Sequence, residues 1–164
     1  MEKRRFREIS TRIGRQRVFL DKCLYFPRGL IGFEKARDFV LLQVREGSPF
    51  LLLQCTEDPS LGLLVTDPYV FLEDWRIEVG TAEQKVLRVG GLRELAVLVT
   101  VTIPEGNPEK TALNLTGPVV INSRLRIGLQ IPQTNGKARS NILISDLRPR
   151  AADPQPGPAL LAGV

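Results

Sequence analysis

Short runs of apolar and β-branched residues, each closed by a turn sequence rich in Pro, Gly, Asn or Asp, dominate this sequence. The turn sequences recur at short intervals, as Glu46-Gly47-Ser48-Pro49, Glu57-Asp58-Pro59-Ser60, Asp67-Pro68, Pro104-Glu105-Gly106-Asn107-Pro108, Gly117-Pro118 and Asn135-Gly136. Residues of these types favour turn backbone angles and interrupt regular structure. Most runs between them have the length of strands rather than of helices, which predicts a mainly-β chain.

Side-chain alternation within the runs supports this prediction. Residues 125–131 alternate aliphatic side chains with polar residues or glycine, as in a half-buried strand. Residues 39–44, FVLLQV, are apolar on both faces and are expected to be covered on two sides. Further strands are predicted at residues 11–13, 17–20, 23–26, 50–55, 61–66, 76–79, 96–103, 111–115 and 119–122. One helix is predicted over residues 81–89, because Thr81 and Gln84 have capping-box spacing and Gly90-Gly91 would end it.

Many short strands with one short helix predict a small, partly open β-barrel-like sheet. Residues 11–147 are expected to form this single domain. Residues 1–10 would form a basic N-terminal arm, and residues 148–164 a tail rich in Pro and Ala. Both ends are expected to be disordered, since termini are usually loose and the tail has no apolar periodicity.

The net charge of +5 is concentrated at the start of the chain. Residues 1–17 contain seven Lys or Arg against two Glu, so the remainder is neutral. The arm, with Lys3, Arg4, Arg5 and Arg7, is either a solvated terminus or a contact for nucleic acid or an acidic partner. A small β-barrel protein that binds nucleic acid through this arm is the alternative function.

Catalysis is not expected. The sequence contains no histidine, the commonest general base and transition-metal ligand, and its two cysteines, Cys23 and Cys55, lie in strand-like runs as expected for buried thiols. Neither a metal nor a cofactor is predicted. Glu57 and Asp58 form a possible carboxylate pair for glycoside chemistry, but turn capping is the more common role for such residues. The sequence has no apolar stretch of the roughly 18 residues that a membrane helix needs, and no secretory leader is evident. A cytoplasmic protein is therefore expected.

A series of motifs in a fixed order gives a family resemblance. The motifs are Tyr25-Phe26-Pro27-Arg28-Gly29-Leu30-Ile31-Gly32-Phe33-Glu34, Phe39-Val40-Leu41-Leu42, Ser48-Pro49-Phe50, Leu53-Gln54, Glu57-Asp58-Pro59, Leu64-Val65-Thr66-Asp67-Pro68-Tyr69, Val99-Thr100-Val101-Thr102-Ile103-Pro104, Thr111-Ala112-Leu113-Asn114-Leu115 and Gly117-Pro118-Val119-Val120-Ile121-Asn122. In this order and spacing, residues 11–131 resemble the FliW family of bacterial flagellar assembly factors.

The resemblance implies a cytoplasmic protein with two protein partners, flagellin before its export and the RNA-binding translational repressor CsrA. In the family, binding to CsrA relieves repression of flagellin mRNA, and accumulated flagellin captures FliW so that CsrA represses again. No direct contact with nucleic acid and no membrane is implied. The candidate partner-binding residues, taken from the motifs and the segment that follows them, are Asp67, Tyr69, Phe71, Glu57, Asp58, Asn114 and Asn122.

The segment at residues 67–75 is the most informative of these. Interpreted as a strand, it places Tyr69 and Phe71 on one face and Val70 and Leu72 on the other, so one large apolar face has to be covered. Aromatic clusters of this kind are usually core, and a partner-facing patch is the alternative.

Overall fold

The computed structural model describes residues 3–134 and 140–147. Within them, the strands are β1 (Phe6–Thr11), β2 (Gly14–Phe19), β3 (Leu24–Tyr25), β4 (Asp38–Gln43), β5 (Phe50–Cys55), β6 (Gly62–Thr66), β7 (Leu95–Thr102), β8 (Ala112–Asn122), β9 (Ile127–Gln130) and β10 (Ile142–Leu143). The α-helix is α1 (Thr81–Leu87), and short 3-10 turns connect several strands. The predicted mainly-β fold with one short helix is confirmed.

The strands from β3 to β9 form a closed ring in which each strand pairs with the next. Consecutive strands are antiparallel, and a parallel pairing of Tyr25 in β3 with Ile127 in β9 closes the ring. Closure pairs backbone groups that an open sheet would leave at its edges. This ring is the observed form of the predicted barrel-like sheet. Strand β10 adds to the first residues of β8, and β1 with β2 forms a separate hairpin.

Large apolar side chains from the ring strands form the main core. The rings of Phe26 and Phe39 meet edge to face, with centroids 5.1 Å apart and planes at 71°. Both side chains are fully buried and pack among aliphatic residues from β3 to β8. Strand β9 passes close to this pair, because a Cβ on Gly128 would lie 2.6 Å from ring atoms of Phe26. Glycine at this position is what allows β9 to pack against the aromatic pair.

Three smaller apolar clusters lie outside the main core, each beneath an added element. Helix α1 covers Val120 and Leu129 through Leu87. The hairpin β1–β2 covers Val40 through Ile9 and Val18. The third cluster, on β7 and β8, is covered by residues from segments 71–75 and 142–147. These covers explain why strands such as β4 are apolar on both faces, as predicted.

The N-terminal hairpin differs from the sequence-based expectation. Residues 6–11 form strand β1, so the predicted boundary of the arm at residue 10 falls inside a strand. The strand predicted at residues 11–13 is wrong, because residues 12–13 form the hairpin turn. Ile9 and Val18 are the buried side chains of this hairpin, whereas most other positions are polar and exposed. The weak apolar periodicity follows from this single buried pair.

Three other predictions also differ from the structure. The Tyr69–Leu72 strand is wrong, since Pro68–Val70 form a 3-10 turn that begins at Asp67. Two strands were predicted at residues 111–115 and 119–122, but strand β8 runs without interruption through Gly117-Pro118. The pairing of β8 with β7 is irregular at this point, with a register shift between Leu98 and Thr100 of β7. Residues 76–79, predicted as a strand, have no regular structure.

Helix α1 occupies Thr81–Leu87 and is shorter than the predicted 81–89. Its N-cap is Gly80, and the side chain of Gln84 donates to the carbonyl of Val79 at 2.8 Å instead of closing a capping box with Thr81. The helix ends at Arg88, which adopts the left-handed conformation (φ 57°), before Gly90-Gly91. The Asn135-Gly136 turn and the tail at residues 148–164 lie outside the described residues.

The turn after β3 requires a glycine. Gly29 has a φ of +64°, and a Cβ there would lie 2.5 Å from the carbonyl oxygen of Phe33. The chain folds back at this point, and the amide of Phe33 donates to the carbonyl of Leu30 at 2.8 Å. The backbone of this turn therefore requires glycine at position 29.

Candidate functional site

The candidate residues Asp67, Tyr69 and Phe71 lie together directly after β6. Asp67 is buried, and its carboxylate accepts a hydrogen bond from the amide of Tyr69 at 2.9 Å. Asp67 is the N-cap of a 3-10 turn, and Pro68 occupies its first position. Both residue types favour the start of a helix at these positions, because the Asp side chain accepts from a free backbone amide and the Pro ring fixes a helical φ. Asp67 thus positions the two aromatic residues that follow it.

Those residues belong to an aromatic cluster, which consists of Phe50, Tyr69, Phe71 and Trp75. The rings of Phe50 and Phe71 are stacked, with centroids 6.3 Å apart and an interplanar angle of 17°. The rings of Tyr69 and Trp75 are 6.1 Å apart and tilted by 41°. All four side chains are half-buried, and burial raises the pKa of the Tyr69 hydroxyl.

The aromatic cluster is partly buried and partly exposed. Phe50, Phe71 and Trp75 pack over the buried cluster on β7 and β8, so part of each ring is core. Val70, between Tyr69 and Phe71, remains 44% exposed at the surface. Half-exposed aromatic side chains beside an exposed aliphatic residue form a surface suited to an apolar partner.

Glu57 and Asp58 lie in the turn between β5 and β6, at the opposite end of these antiparallel strands from Asp67. The carboxylate of Glu57 accepts a hydrogen bond from the guanidinium of Arg7 at 2.9 Å, which lowers the pKa of Glu57 and raises that of Arg7. Asp58 accepts from the hydroxyl of Ser60 at 2.7 Å and from its amide at 2.9 Å, and these bonds lower the pKa of Asp58. Asp58 therefore caps the turn, and Glu57 anchors the N-terminal hairpin.

Asn114 and Asn122 make internal hydrogen bonds on β8. Asn114 accepts from the hydroxyl of Thr116 at 2.6 Å and from its amide at 3.0 Å. Asn122 is buried and donates to the carbonyl of Leu87 at 2.9 Å, which joins β8 to the end of α1. It also accepts from the amides of Arg124 and Leu125. Both side chains therefore fix the conformation of the backbone around them.

Three of the four basic residues of the arm make contacts with the folded chain. Arg4 forms two hydrogen bonds with the carboxylate of Asp21, at 3.0 and 3.2 Å, and its guanidinium lies 4.0 Å from the ring centroid of Phe19. Its bond lowers the pKa of Asp21. The backbone carbonyl of Arg5 accepts from Leu20, and Lys3 is exposed. With Arg7 on Glu57, two of the four candidate cations for nucleic acid are already paired with carboxylates.

Sequence reasoning missed Arg12 as a structural residue. Its guanidinium donates to the carbonyl of Gly62 at 2.7 Å, and its amide donates to the side chain of Gln54 at 3.1 Å. Gln54 is fully buried and binds the turn carbonyls of Asp58 and Leu61 through its amide nitrogen. A buried glutamine within the otherwise apolar β5 run was the available indication of this network.

Residues 3–134 and 140–147 contain no group of three or more Asp, Glu or Cys placed to hold a metal ion. Cys23 is half-buried and Cys55 is buried, and both are free thiols. Burial raises the pKa of Cys23. In the same described part of the chain, no helix has the length and apolar character needed to cross a membrane.

Comparison with known proteins gives a consistent result. Residues 8–142 match the family model described as FliW protein. A flagellar assembly factor FliW from Nitratidesulfovibrio vulgaris strain DP4 is 66% identical over 128 residues, which cover 78% of this chain and 74% of that protein. The corresponding protein of Desulfovibrio desulfuricans is 57% identical over 128 residues, with 77% of each chain covered. A crystal structure of the flagellar assembly factor FliW superposes with a TM-score of 0.79 and 27% identity, over 84% of this chain and 96% of that chain.

The closed ring of strands with its one short helix defines a small mainly-β protein. The matches in sequence and in fold each cover most of the chain. The chain belongs to the FliW family.

Proposed function

We propose that this chain is a cytoplasmic flagellar assembly factor that binds two proteins in turn, unexported flagellin and a CsrA-type RNA-binding repressor. The observation that carries the proposal is the FliW match over residues 8–142, together with relatives that bear the name flagellar assembly factor. Bound to this chain, the repressor would release flagellin mRNA for translation. Accumulated flagellin would then capture the chain and restore repression.

The thermodynamic demand of this exchange is small. Each partner has only to weaken the binding of the other, either through overlapping surfaces or through a coupling free energy of about 1–3 kcal/mol. Overlapping surfaces are enough on a rigid scaffold, because two partners that share part of one surface cannot bind at the same time. The closed ring of strands and its fully buried core provide such a scaffold.

The aromatic cluster is the surface we assign to a partner. Its exposed edge carries Val70, and its rings are held in place by packing on the sheet beneath. Aromatic anchors that are fixed before binding lose little conformational entropy on contact, which is why they often dominate the energy of interfaces. This assignment makes Val70 the most direct probe, because its side chain is exposed whereas the rings also support the fold.

The first experiment is copurification of the tagged full-length chain from its own cells, with the companions identified. Recovery of flagellin and of a small RNA-binding repressor is expected. In a mixture of the purified proteins, added flagellin should release the repressor from the chain, as measured by size-exclusion chromatography. If the folded chain ignores both proteins, the proposed function is wrong.

A second experiment compares two exposed valines. Val70→Asp places a charge beside the aromatic cluster, and Val44→Asp places the same charge on a side chain of similar exposure, 46% against 44%, at the end of β4. Surface changes of this kind alter stability little, within about 0.5 kcal/mol. Val70→Asp should weaken at least one partner by about tenfold or more, the loss expected when an interface anchor is disrupted, while Val44→Asp should bind both normally. Equal binding by both variants would remove the aromatic cluster from the interface.

A further inference from the structure

The N-terminal hairpin has an inner face on the ring of strands and an outer face toward solvent. Ile9 and Val18 fix this orientation, because both are buried against Val40 of the ring. Side chains alternate between the two faces of a strand, so the residues on either side of this pair point away from the ring. The outer face is formed by three opposed pairs, namely Phe6 with Phe19, Glu8 with Arg17, and Ser10 with Arg15.

Cationic and aromatic side chains form a continuous row on this outer face. The row consists of Arg4, Phe19, Phe6 and Arg17, in this order, and we call it the hairpin row. The guanidinium carbon of Arg4 lies 4.0 Å from the ring centroid of Phe19, and that of Arg17 lies 4.1 Å from the centroid of Phe6. The two rings meet edge to face, with centroids 6.3 Å apart. Phe6 is nevertheless 47% exposed, so these contacts hold an aromatic ring in place at the surface.

A cleft with an excess of positive charge adjoins the hairpin row. Its volume is about 570 Å³, and it is lined by Lys3, Arg4, Arg5, Leu20 and Asp21. Arg4 belongs to both the cleft and the row, and it pairs with Asp21 at 3.0 Å. Within the described part of the chain, neither Lys3 nor Arg5 forms an ion pair. We call this cleft, with its two further cations, the basic cleft.

The positive charge of the molecule is concentrated on the hairpin. Residues 3–22 contain eight Lys or Arg against two Asp or Glu, a net charge of +6, whereas the whole chain carries +5. The hairpin makes three exposed ion pairs, namely Arg4–Asp21, Arg7–Glu57 and Arg15–Glu8. Exposed ion pairs contribute little free energy, so a phosphate can compete for the same cations. Charge complementarity therefore directs a polyanion to the hairpin rather than to the ring of strands.

We propose that the outer face of the N-terminal hairpin binds single-stranded nucleic acid, with phosphates in the basic cleft and bases on the hairpin row. A single strand supplies a phosphate at each nucleotide and a base that stacks on an aromatic ring or on a guanidinium plane. A duplex keeps its bases stacked on one another, and an acidic peptide would use the cations without the rings. The exposed contact between Phe6 and Arg17 therefore favours a single strand over both alternatives.

The first test measures binding of the full-length chain to a fluorescein-labelled oligouridylate of about 12 nucleotides, within the range of about 4–16 that small single-strand-binding modules cover. Fluorescence anisotropy at several salt concentrations gives the affinity and its salt dependence. The logarithm of the association constant should fall with that of the salt concentration, with a slope of about −0.7 for each phosphate contact. An RNA duplex of the same length should bind more weakly. An oligodeoxythymidylate distinguishes DNA from RNA as the preferred strand, and tight binding of either supports the proposal.

A charge-reversal variant tests the basic cleft. Lys3→Glu/Arg5→Glu should weaken binding by about tenfold or more and make the salt slope shallower by about 1.4, as expected for two lost phosphate contacts. Lys35→Glu/Arg45→Glu is the matched control, because it reverses the same number of charges at exposed positions on either side of β4. The control should bind the oligouridylate within about twofold of the unaltered chain, as expected where no phosphate contact is lost.

A second variant tests stacking without a change of charge. Phe6→Leu keeps an apolar side chain at the surface but removes the ring, and it should weaken oligouridylate binding by about tenfold, as the loss of one base-stacking contact does. Ile13→Ala, an exposed apolar position in the turn of the same hairpin, is the control and should bind normally. Circular dichroism checks that each variant is folded.

Several results would overturn the proposal. No binding of either oligonucleotide by the folded, unaltered chain at low salt would exclude the site. Equal binding by the cleft variant and its control would assign the binding to the overall field of the molecule. Unchanged binding by Phe6→Leu, or binding of polyglutamate as tight as that of the oligouridylate, would make the outer face a general surface for anions.

This binding lies outside the proposed exchange of protein partners, because the FliW resemblance implies no direct contact with nucleic acid. The two proposals are therefore tested separately. If the oligonucleotides do not bind, the exchange between flagellin and the repressor is unaffected. If the chain ignores both proteins, the proposed function fails while the result with the oligonucleotides stands.

Discussion

The side-chain amide of Asn122 in β8 donates to the carbonyl of Leu87 at the last residue of α1, at a distance of 2.9 Å. Both residues are buried, and the oxygen of the same amide accepts from the backbone of Arg124 and Leu125. One side chain thus satisfies the end of the helix and the turn that follows β8. Its loss would leave a buried carbonyl without a partner, which is costly because that carbonyl cannot reach water.

Asn122→Ala should therefore lower the free energy of unfolding by about 2–4 kcal/mol, the sum expected for lost hydrogen bonds and an unsatisfied buried carbonyl. Urea denaturation followed by circular dichroism measures the change. Ser123→Ala, one residue further on, is the control and should be close to neutral. The folded fraction of Asn122→Ala should bind partners normally, and a selective loss of binding without loss of stability would show that Asn122 contacts a partner.

Gly128 gives a packing test. A methyl group on Gly128 would lie 2.6 Å from the buried ring of Phe26, a contact that neither the ring nor the strand can easily relieve. Gly128→Ala should destabilise the fold by about 1–3 kcal/mol or more, as overpacked cores do. Gly90→Ala is the matched control, since nothing lies within 4 Å of its added Cβ. Equal unfolding midpoints for the two variants would contradict the packing described for β9.

The Arg7–Glu57 pair predicts a dependence of stability on pH. The hydrogen bond from Arg7 lowers the pKa of Glu57 below its ordinary value of 4.5. A carboxylate with a lowered pKa in the folded state stabilises the protein above its unfolded pKa, and this contribution disappears as pH falls through the folded pKa. The difference in urea midpoint between the unaltered chain and Glu57→Gln should be present at neutral pH and vanish on acidification below 4.5.

Because both side chains of this pair are largely exposed, the difference at neutral pH should be small and should shrink with added salt. Arg7→Gln should lower the urea midpoint at neutral pH by a similar amount, and the double variant should have the midpoint of either single variant. A Glu57→Gln effect that grows as pH falls would contradict the direction of the pKa shift.

Phe71 tests whether the aromatic cluster acts in the fold, in binding or in both. Phe71→Ala removes the ring stacked on Phe50 and should cost about 1–3 kcal/mol, less than a fully buried Phe would. Tyr69→Ala should behave similarly through its contact with Trp75. Circular dichroism beside a pull-down separates unfolding from lost binding. A folded variant that binds both partners normally would exclude the aromatic cluster as a contact surface.

Much of the fold could be predicted from local pattern. The apolar runs of β4 and β5 and the alternation in β9 correctly indicated strands, since β4 and β5 bury consecutive residues on both faces and β9 packs its alternate residues Ile127 and Leu129 in one cluster. Strand β1 was placed wrongly because only Ile9 is buried in it, and the pairing with β2 decides its conformation. Gly117-Pro118 suggested an interruption, yet the pairing of the strand on both sides carries β8 through it.

The candidate site was predictable in part. The grouping of Asp67, Tyr69 and Phe71 followed from their closeness in sequence, but their backbone did not, because a buried Asp followed by Pro starts a 3-10 turn rather than a strand. The role of Glu57 depends on Arg7, fifty residues away in the chain, and no local pattern reports such a pair. Distant contacts of single polar residues are the information that local periodicity lacks.

The N-terminal hairpin has a practical consequence for experiments on charge. A truncation that removed the first nine residues would take away Arg4 and Arg7, but it would also delete Ile9, which lies over Val40 on the outside of the ring. Such a shortened protein would expose an apolar patch, and its tendency to aggregate would be mistaken for an electrostatic effect. Charge reversal at Lys3 and Arg5, whose side chains are exposed, changes the field and keeps the cover in place.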